Sequence, residues 1–248
     1  IFSQEKIMRA VRTSTPPVMD GKLDDEVWKK AVPSSDFLQQ DPQPGSLPSF
    51  KTEVRILYDD ENLYIGIMCY DDEPEKIIAR ELRLDGRWSG DDNIAIIFDT
   101  FNDKRTGYWF GTNPLGMRND AMLTASSSFA GFNEEWHGIW HPHAAIVDSG
   151  WSVEILFPFS TFKFHDKEEQ IWGIDIERNV QRTGEKMIWS SVGKNVSFFM
   201  INFAGELHGI SNISRGNPVY IKPFFTTGMQ KTNSKEKFLY KGGLDVKY

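Results

Sequence analysis

The sequence predicts an all-β fold, a β-sandwich of the immunoglobulin or jelly-roll type with one or two short helices. Short β-rich runs follow one another between turn signals, and almost no segment shows helical periodicity. The chain has 248 residues, of which 40% are hydrophobic, so it can bury a sizeable core. Aromatic residues make up 13%, and their large side chains suit core packing or stacking against a flat ligand.

The N-terminal quarter begins with a predicted extended lead-in at residues 1–15. A tight turn at Asp20-Gly21 then leads into a short helical segment whose apolar residues, among them Trp28, face inward. Residues 33–49 hold four of the twelve prolines and are predicted to form a surface loop.

Most of the remaining chain is predicted to form paired strands. Residues 53–58 and 63–70 indicate a hairpin with a four-residue turn, and the apolar stripe of residues 73–85 predicts one helix. The other predicted strands are 93–99, 106–112, 137–147, 151–157, 170–181, 186–192, 198–203 and 205–210, followed by two alternating segments at 219–226 and 237–248.

The charge excludes one class of partner, and the cysteine count excludes an internal disulfide. The net charge of −7 and the lack of a basic run exclude nucleic acid, because the phosphate backbone would be repelled. The single cysteine, Cys69, lies in an apolar strand pattern and cannot form an internal disulfide. The chain begins at Ile1 rather than at methionine, which we interpret as a start after a removed export signal.

An ordered series of short motifs resembles a known family. The phrase Asp20-Gly21-Lys22-Leu23-Asp24-Asp25-Glu26-Val27-Trp28 resembles the opening of carbohydrate-binding module family 9. Further matching motifs lie between residues 10 and 225, and they resemble a bacterial envelope family of Bacteroidetes type that carries such a module at its N-terminus. These motifs are Gly90-Asp91-Asp92, Phe98-Asp99-Thr100, Asn113-Pro114-Leu115-Gly116, Gly150-Trp151-Ser152-Val153-Glu154 and Trp172-Gly173-Ile174.

The resemblance implies an organisation and a location. Residues 16–217 would be the carbohydrate-binding β-sandwich, and residues 218–248 would begin an outer-membrane, barrel-like region. The protein would be exported to the envelope of a Gram-negative bacterium, in the periplasm or outer membrane. Its partners would be an oligo- or polysaccharide and its own C-terminal region, with structural calcium as the one cofactor the family suggests.

The resemblance also implies a ligand site built on two tryptophans that hold a sugar between them. Trp88 and Trp189 occupy the matching positions, while Ala95 stands where sugar-binding members carry a glutamate. This departure leaves open a second function, a docking domain that has lost sugar binding. The polar residues expected around the tryptophans are Asp91, Asp92, Arg118, Asp120 and Arg178.

Weaker signals indicate a metal, a haem or a hydrolytic site. His141 and His143 have a spacing that places both on one face of a strand, and Asp99, Asn102 and Asp103 could supply oxygens to calcium. A haem-binding relative would need an axial ligand inside the sandwich, such as His141, His143 or Met68. A glycosidase would need two carboxylates beside one cleft, and the candidates are Glu154 and Glu177.

Overall fold

The computed structural model of the chain describes residues 6–86, 89–125, 131–190, 192–193, 195–214, 220–232 and 235–247. The chain divides into two units, Ile1–Arg215 and Gly216–Tyr248.

The first unit consists of strands joined by loops and short 3-10 turns, which confirms the all-β prediction. Its strands are β1 (Ile7–Arg12), β2 (Leu38–Asp41), β3 (Thr52–Tyr58), β4 (Asn62–Tyr70), β5 (Asn93–Asp99), β6 (Thr106–Thr112), β7 (Asn119–Thr124), β8 (Phe132–Asn133), β9 (His141–Val147), β10 (Gly150–Pro158), β11 (Glu169–Val180), β12 (Glu185–Ile188) and β13 (Gly205–Ser211).

These strands form two sheets that share β1. The first sheet has the order β8-β7-β6-β5-β11-β13, with β12 pairing β11 and β2, and the second has the order β3-β4-β10-β9. The first half of β1 pairs in parallel with β13 and its second half pairs in parallel with β3. Within the predicted extended lead-in at residues 1–15, β1 is the strand that joins the two sheets.

The core lies between the sheets and explains the high aromatic content. Alternate residues of β5 and β11, such as Ile96 and Ile176, meet those of β4 and β10, such as Ile65 and Val153, in one buried cluster. Phe98 stands at its centre with Phe110, Phe157, Phe162 and Trp172 in edge-to-face contact. Such contacts stabilise aromatic clusters beyond the gain from area burial.

Two predicted elements do not form. Residues 73–85 were predicted to be helical, but only Pro74–Lys76 makes a 3-10 turn. The backbone N–H groups of Arg80 and Glu81 donate to the Asp91 carboxylate rather than to helical carbonyls. Residues 198–203 were predicted to be a strand, but Ile201–Phe203 forms a 3-10 turn, and its Ile201 side chain packs in one cluster with Ala95 and Ile97 of the first sheet.

The Asp20–Trp28 motif is held by a buried carboxylate on the second sheet. The Glu154 side chain accepts hydrogen bonds from the backbone N–H groups of Asp20 and Gly21, each at 2.9 Å, and from Trp28 Nε1 at 2.8 Å. Gly21 has φ +89°, and a Cβ there would lie 2.7 Å from the carbonyl carbon of Ala144, so only glycine fits. The motif is therefore a structural clamp on the outer face of the second sheet.

The second unit is a long hairpin of β14 (Tyr220–Thr232) and β15 (Lys235–Lys247). Its register pairs Ile221 with Val246 and Met229 with Phe238, so these residues share one face. Among the described residues, no helix has the length and apolar character needed to cross a membrane.

Candidate functional site

A row of four residues crosses the outer face of the first sheet. The register places Glu177 opposite Ala95, Ala95 opposite Gly111, and Gly111 opposite Asn119. Because side chains alternate along a strand, these residues point away from the core that Ile94 and Ile96 enter. Two polar side chains thus flank a floor of two small residues.

A second polar pair lies one step along the same face. Asn179 is opposite Asn93, and its Nδ2 donates to Asn93 Oδ1 at 2.9 Å and to Glu177 Oε1 at 3.0 Å. Asn93 Nδ2 in turn donates to the backbone oxygen of Asp91 at 2.8 Å. Together the two rows form what we call the outer-face patch: Asn93, Ala95, Gly111, Asn119, Glu177 and Asn179.

An aromatic wall borders the outer-face patch on one side. A Cβ at Gly111 would lie 2.7 Å from the Trp109 ring, so glycine is required for the indole to lie along the sheet. Phe132 contacts Trp109 with ring centroids 5.3 Å apart, and Phe199 contacts Phe132 at 5.7 Å.

Loops border the patch on its other sides. Gln40 bonds the backbone of Gly193 and Val196, which holds the loop after β12 beside β2. Asn119 Nδ2 donates to the backbone oxygen of Gly86 at 3.4 Å, so Gly86 lies beside the patch. Trp88 itself, a predicted sugar-stacking residue, lies outside the described residues.

Most of the predicted polar ligands serve the fold. Asp91 Oδ2 accepts three hydrogen bonds, from the backbone of Arg80 and Glu81 and from Asn113 Nδ2. Asp92 is 1% exposed and accepts from the backbone of Gln181. Burial raises the pKa of Asp92.

Arg178 was predicted to contact a ligand, but the structure places it between the two sheets. It is fully buried and donates to the backbone oxygens of Lys51 at 2.9 Å and Tyr70 at 2.8 Å, and to Thr52 Oγ1 at 3.2 Å. These acceptors lie at one end of β3 and β4, so the guanidinium fastens β11 to the second sheet.

Trp189 is likewise a core residue. It is 1% exposed, and its Nε1 donates to Asp36 Oδ1 at 2.9 Å. An indole in this position has no face open to a ligand, and we leave Trp189 out of the candidate site. The sequence could not separate this role from stacking, because both need a large aromatic ring near a polar partner.

Arg118 and Asp120 meet at a different place from the outer-face patch. Asp120 Oδ2 accepts from Trp140 Nε1 at 2.7 Å, and its Oδ1 accepts from the backbone of Gly138. Arg118 Nη1 donates to the backbone oxygen of Trp140 at 2.9 Å. Both residues therefore hold the segment around Gly138 and Trp140 in place.

The candidate haem ligands do not lie inside the sandwich. His141 and His143 are exposed on β9, and Met68 belongs to the outer face of β4. Burial, with Arg118 and His143 nearby, lowers the pKa of His141. An axial ligand from these residues would have to act from outside the core, contrary to the expectation.

The proposed calcium loop uses its oxygens internally. The Asp99 carboxylate accepts from the backbone of Asp103 and Lys104, and Asp103 Oδ1 accepts from the backbone of Arg105 and Thr106. Within the described part of the chain, no group of three or more His, Cys, Asp or Glu side chains could hold a metal. The residues present fit an Asx-turn better than a cation site.

Two asparagines of the outer-face patch, Asn93 and Asn179, were not predicted from sequence as site residues, whereas Asn119 was a possible contributor. Asn93, Asn119 and Asn179 all lie in strands, where asparagine is depleted. The occurrence of Asn93 and Asn179 in the strands predicted at 93–99 and 170–181 was the available signal. Only the register shows that they lie on one face.

The family profile described as "Carbohydrate family 9 binding domain-like" matches residues 19–197. The chain belongs to this family.

Solved structures agree with this fold. The chain is similar to a family 9 carbohydrate-binding module from Caldicellulosiruptor kristjanssonii in complex with glucose, with a TM-score of 0.57 and 15% identity over 84% of this chain and 98% of that one. The complex of a family 9 module from the same organism with cellotriose has a TM-score of 0.55 and 15% identity over 84% of this chain and 96% of that one. A candidate carbohydrate-binding protein from Bacteroides uniformis has a TM-score of 0.61 and 12% identity over 84% of this chain and 100% of that one. A search among curated proteins finds no significant match.

Proposed function

We propose that the chain binds carbohydrate without catalysis, at the outer-face patch. The observation that carries this proposal is the set of amide and carboxylate side chains that flank the small residues Ala95 and Gly111 on one face of the first sheet. Asparagine amides both donate and accept hydrogen bonds, as sugar hydroxyls do. Family membership and the sugars bound by two structural neighbours support the same function.

The geometry of the two candidate carboxylates argues against glycoside hydrolysis. Glu154 lies on the outer face of the second sheet, where it clamps the Asp20–Trp28 motif. Glu177 lies on the outer face of the first sheet, with the core between them. Two carboxylates on opposite faces cannot flank one glycosidic bond at the separation of about 5–10 Å that hydrolysis requires.

Replacing Trp88 by alanine is expected to weaken binding at least ~10-fold, equivalent to ~1.4 kcal/mol. A glycan array would identify ligands for the wild-type chain, and calorimetric titration with cellotriose would measure the change. Tyr240→Ala is the matched control, because Tyr240 is an aromatic residue that is 70% exposed on the separate hairpin. Equal affinity of Trp88→Ala and wild type would contradict the proposed role of this side chain.

We further propose that the protein is exported to the envelope of a Gram-negative bacterium, where its C-terminal hairpin joins an outer-membrane, barrel-like region. Support comes from the distribution of apolar and polar side chains between the two faces of the hairpin. One face carries exposed apolar side chains: Ile221, Phe225, Met229, Phe238, Tyr240, Leu244 and Val246. The other face carries the polar residues Lys222, Thr226, Lys241 and Asp245 together with two apolar ones, Phe224 and Leu239. From Ile221 to Met229 the apolar face spans ~27 Å, close to the ~30 Å hydrocarbon core of a bilayer.

This location predicts a face-specific affinity for lipid. In flotation with vesicles of phosphatidylethanolamine and phosphatidylglycerol, wild type and Thr226→Asp are expected to float with the vesicles, whereas Phe225→Asp is expected to remain in the bottom fraction. Phe225 and Thr226 are neighbours on opposite faces of the same strand, so the pair isolates the apolar face. Equal flotation of the two variants would favour the docking alternative, in which the hairpin contacts a protein partner.

A further inference from the structure

We propose that Glu177 orients the bound sugar through its Oε2 atom and restricts the site to neutral sugars. This inference rests on the carbohydrate-binding function proposed above and assigns a ligand-contacting residue and a substrate class to the same patch.

The hydrogen-bond inventory of Glu177 leaves one oxygen for a ligand. Asn179 Nδ2 donates to Oε1 at 3.0 Å, and within the described residues no protein donor reaches Oε2. The side chain is 8% exposed, so the carboxylate is largely removed from water. The neighbouring cation, Lys186, forms an ion pair with Asp41 at 3.6 Å instead.

A buried carboxylate with so few partners is costly for the fold, and such groups mark functional sites. Burial raises the pKa of Glu177, with the Asn179 hydrogen bond acting in the opposite sense. Nothing in the packing of β11 requires a charge here, since Ile188 on the adjacent strand and Ala95 on the other are apolar. Donors supplied by a ligand would complete the coordination.

The other carboxylates at this end of the first sheet accept hydrogen bonds from the protein or lie on its core side. Asp92 Oδ2 accepts none within the described residues, but Asp92 is 1% exposed and by alternation lies on the side that Ile94 and Ile96 turn to the core. Asp91 and Asp175 each accept three hydrogen bonds from the protein. Asp120 accepts from Trp140 and Gly138 on the core side of β7. Glu177 is the carboxylate that remains available beside the Ala95 and Gly111 floor.

The chemistry of a single free carboxylate oxygen selects the ligand. Neighbouring hydroxyls of a neutral sugar donate to it in charge-assisted hydrogen bonds, which are stronger than neutral ones. A uronic acid would bring a second carboxylate into the same partly desolvated space and would be repelled. Glucose and glucuronate therefore form a matched pair of probes that differ in this one group.

The test compares Glu177→Gln with wild type in calorimetric titrations with glucose and glucuronate. Wild type is expected to bind glucose more tightly than glucuronate. Glu177→Gln is expected to bind glucose ~10-fold or more weakly than wild type, and the ratio of its affinities for glucose and glucuronate is expected to be smaller. Glutamine keeps the shape of the side chain and an oxygen that can accept from Asn179. Glu169→Gln, which removes an exposed charge from the far end of the same strand, is expected to behave as wild type.

The outcomes separate this inference from the proposed function. Failure of wild type to bind any sugar would overturn both. If Glu177→Gln binds glucose with the affinity of wild type, the role of Glu177 is overturned, whereas the proposed carbohydrate binding is not. Equal wild-type affinity for glucose and glucuronate would contradict the selectivity without relying on any variant.

Discussion

Replacing Glu154 by alanine is expected to lower the free energy of unfolding by about 3–5 kcal/mol. Glu154 is fully buried and receives three hydrogen bonds, two from the Asp20-Gly21 turn and one from the Trp28 indole. Alanine would leave all three donors without an acceptor and would open a cavity under Trp28. Urea denaturation followed by tryptophan fluorescence measures the change.

Two controls identify the hydrogen bonds as the cause. Glu154→Gln keeps an oxygen that accepts from Trp28 Nε1, so we expect a smaller loss than for alanine. Glu169→Gln removes an exposed carboxylate from β11 and is expected to change stability little. A loss below about 1 kcal/mol for Glu154→Ala would contradict the clamp, because unsatisfied buried donors cost more than that.

Asp175 is expected to make the stability depend on pH. It accepts from Ser190 Oγ at 2.5 Å and from the backbone N–H groups of Ile176 and Ser190. Burial raises the pKa of Asp175 from 3.8 to about 7, against the opposing effect of these donors. The folded state thus holds the proton more tightly than the unfolded state, so the contribution of Asp175 to stability falls as pH rises from about 4 to 7, by ~4 kcal/mol at most.

The variant Asp175→Asn removes this titration. Its amide can accept from the same backbone groups and donate to Ser190 Oγ, so we expect it to gain stability relative to wild type as pH rises, with the largest gain at pH 8. Asp72→Asn, at an exposed position, is the matched control and should show no such trend. A stability difference between Asp175→Asn and wild type that stays constant from pH 4 to 8 would exclude an elevated pKa.

The strands could be predicted from sequence because their evidence is local. Alternating or continuous apolar runs between turn signals predicted the hairpin at 53–70 and the pairing of 170–181 with 186–192, and both form. The helix predicted at 73–85 failed because a distant carboxylate, Asp91, takes the backbone N–H groups that a helix would use. That contact depends on tertiary structure.

The site was harder to predict because its side chains are selected by register. Arg178 and Glu177 are neighbours in sequence, yet one fastens the two sheets and the other faces outward. A charged residue in a strand is ordinarily assigned to the surface, and only the nearby carbonyls of Lys51 and Tyr70 explain a buried arginine. The same dependence on tertiary contacts explains why Trp189 was predicted from sequence to lie in the ligand site.

The central claim is that sugar binds on the outer face of the first sheet, and an amide-resolved NMR titration with cellotriose tests it most directly. We expect saturable shifts of the side-chain amides of Asn119 and Asn179 and of the backbone amide of Ala95. Shifts confined to the 650 Å³ groove on the outer face of the second sheet, lined in part by Arg55, Met68 and Tyr70, would contradict it. An unchanged spectrum at saturating cellotriose would equally count against the outer-face patch.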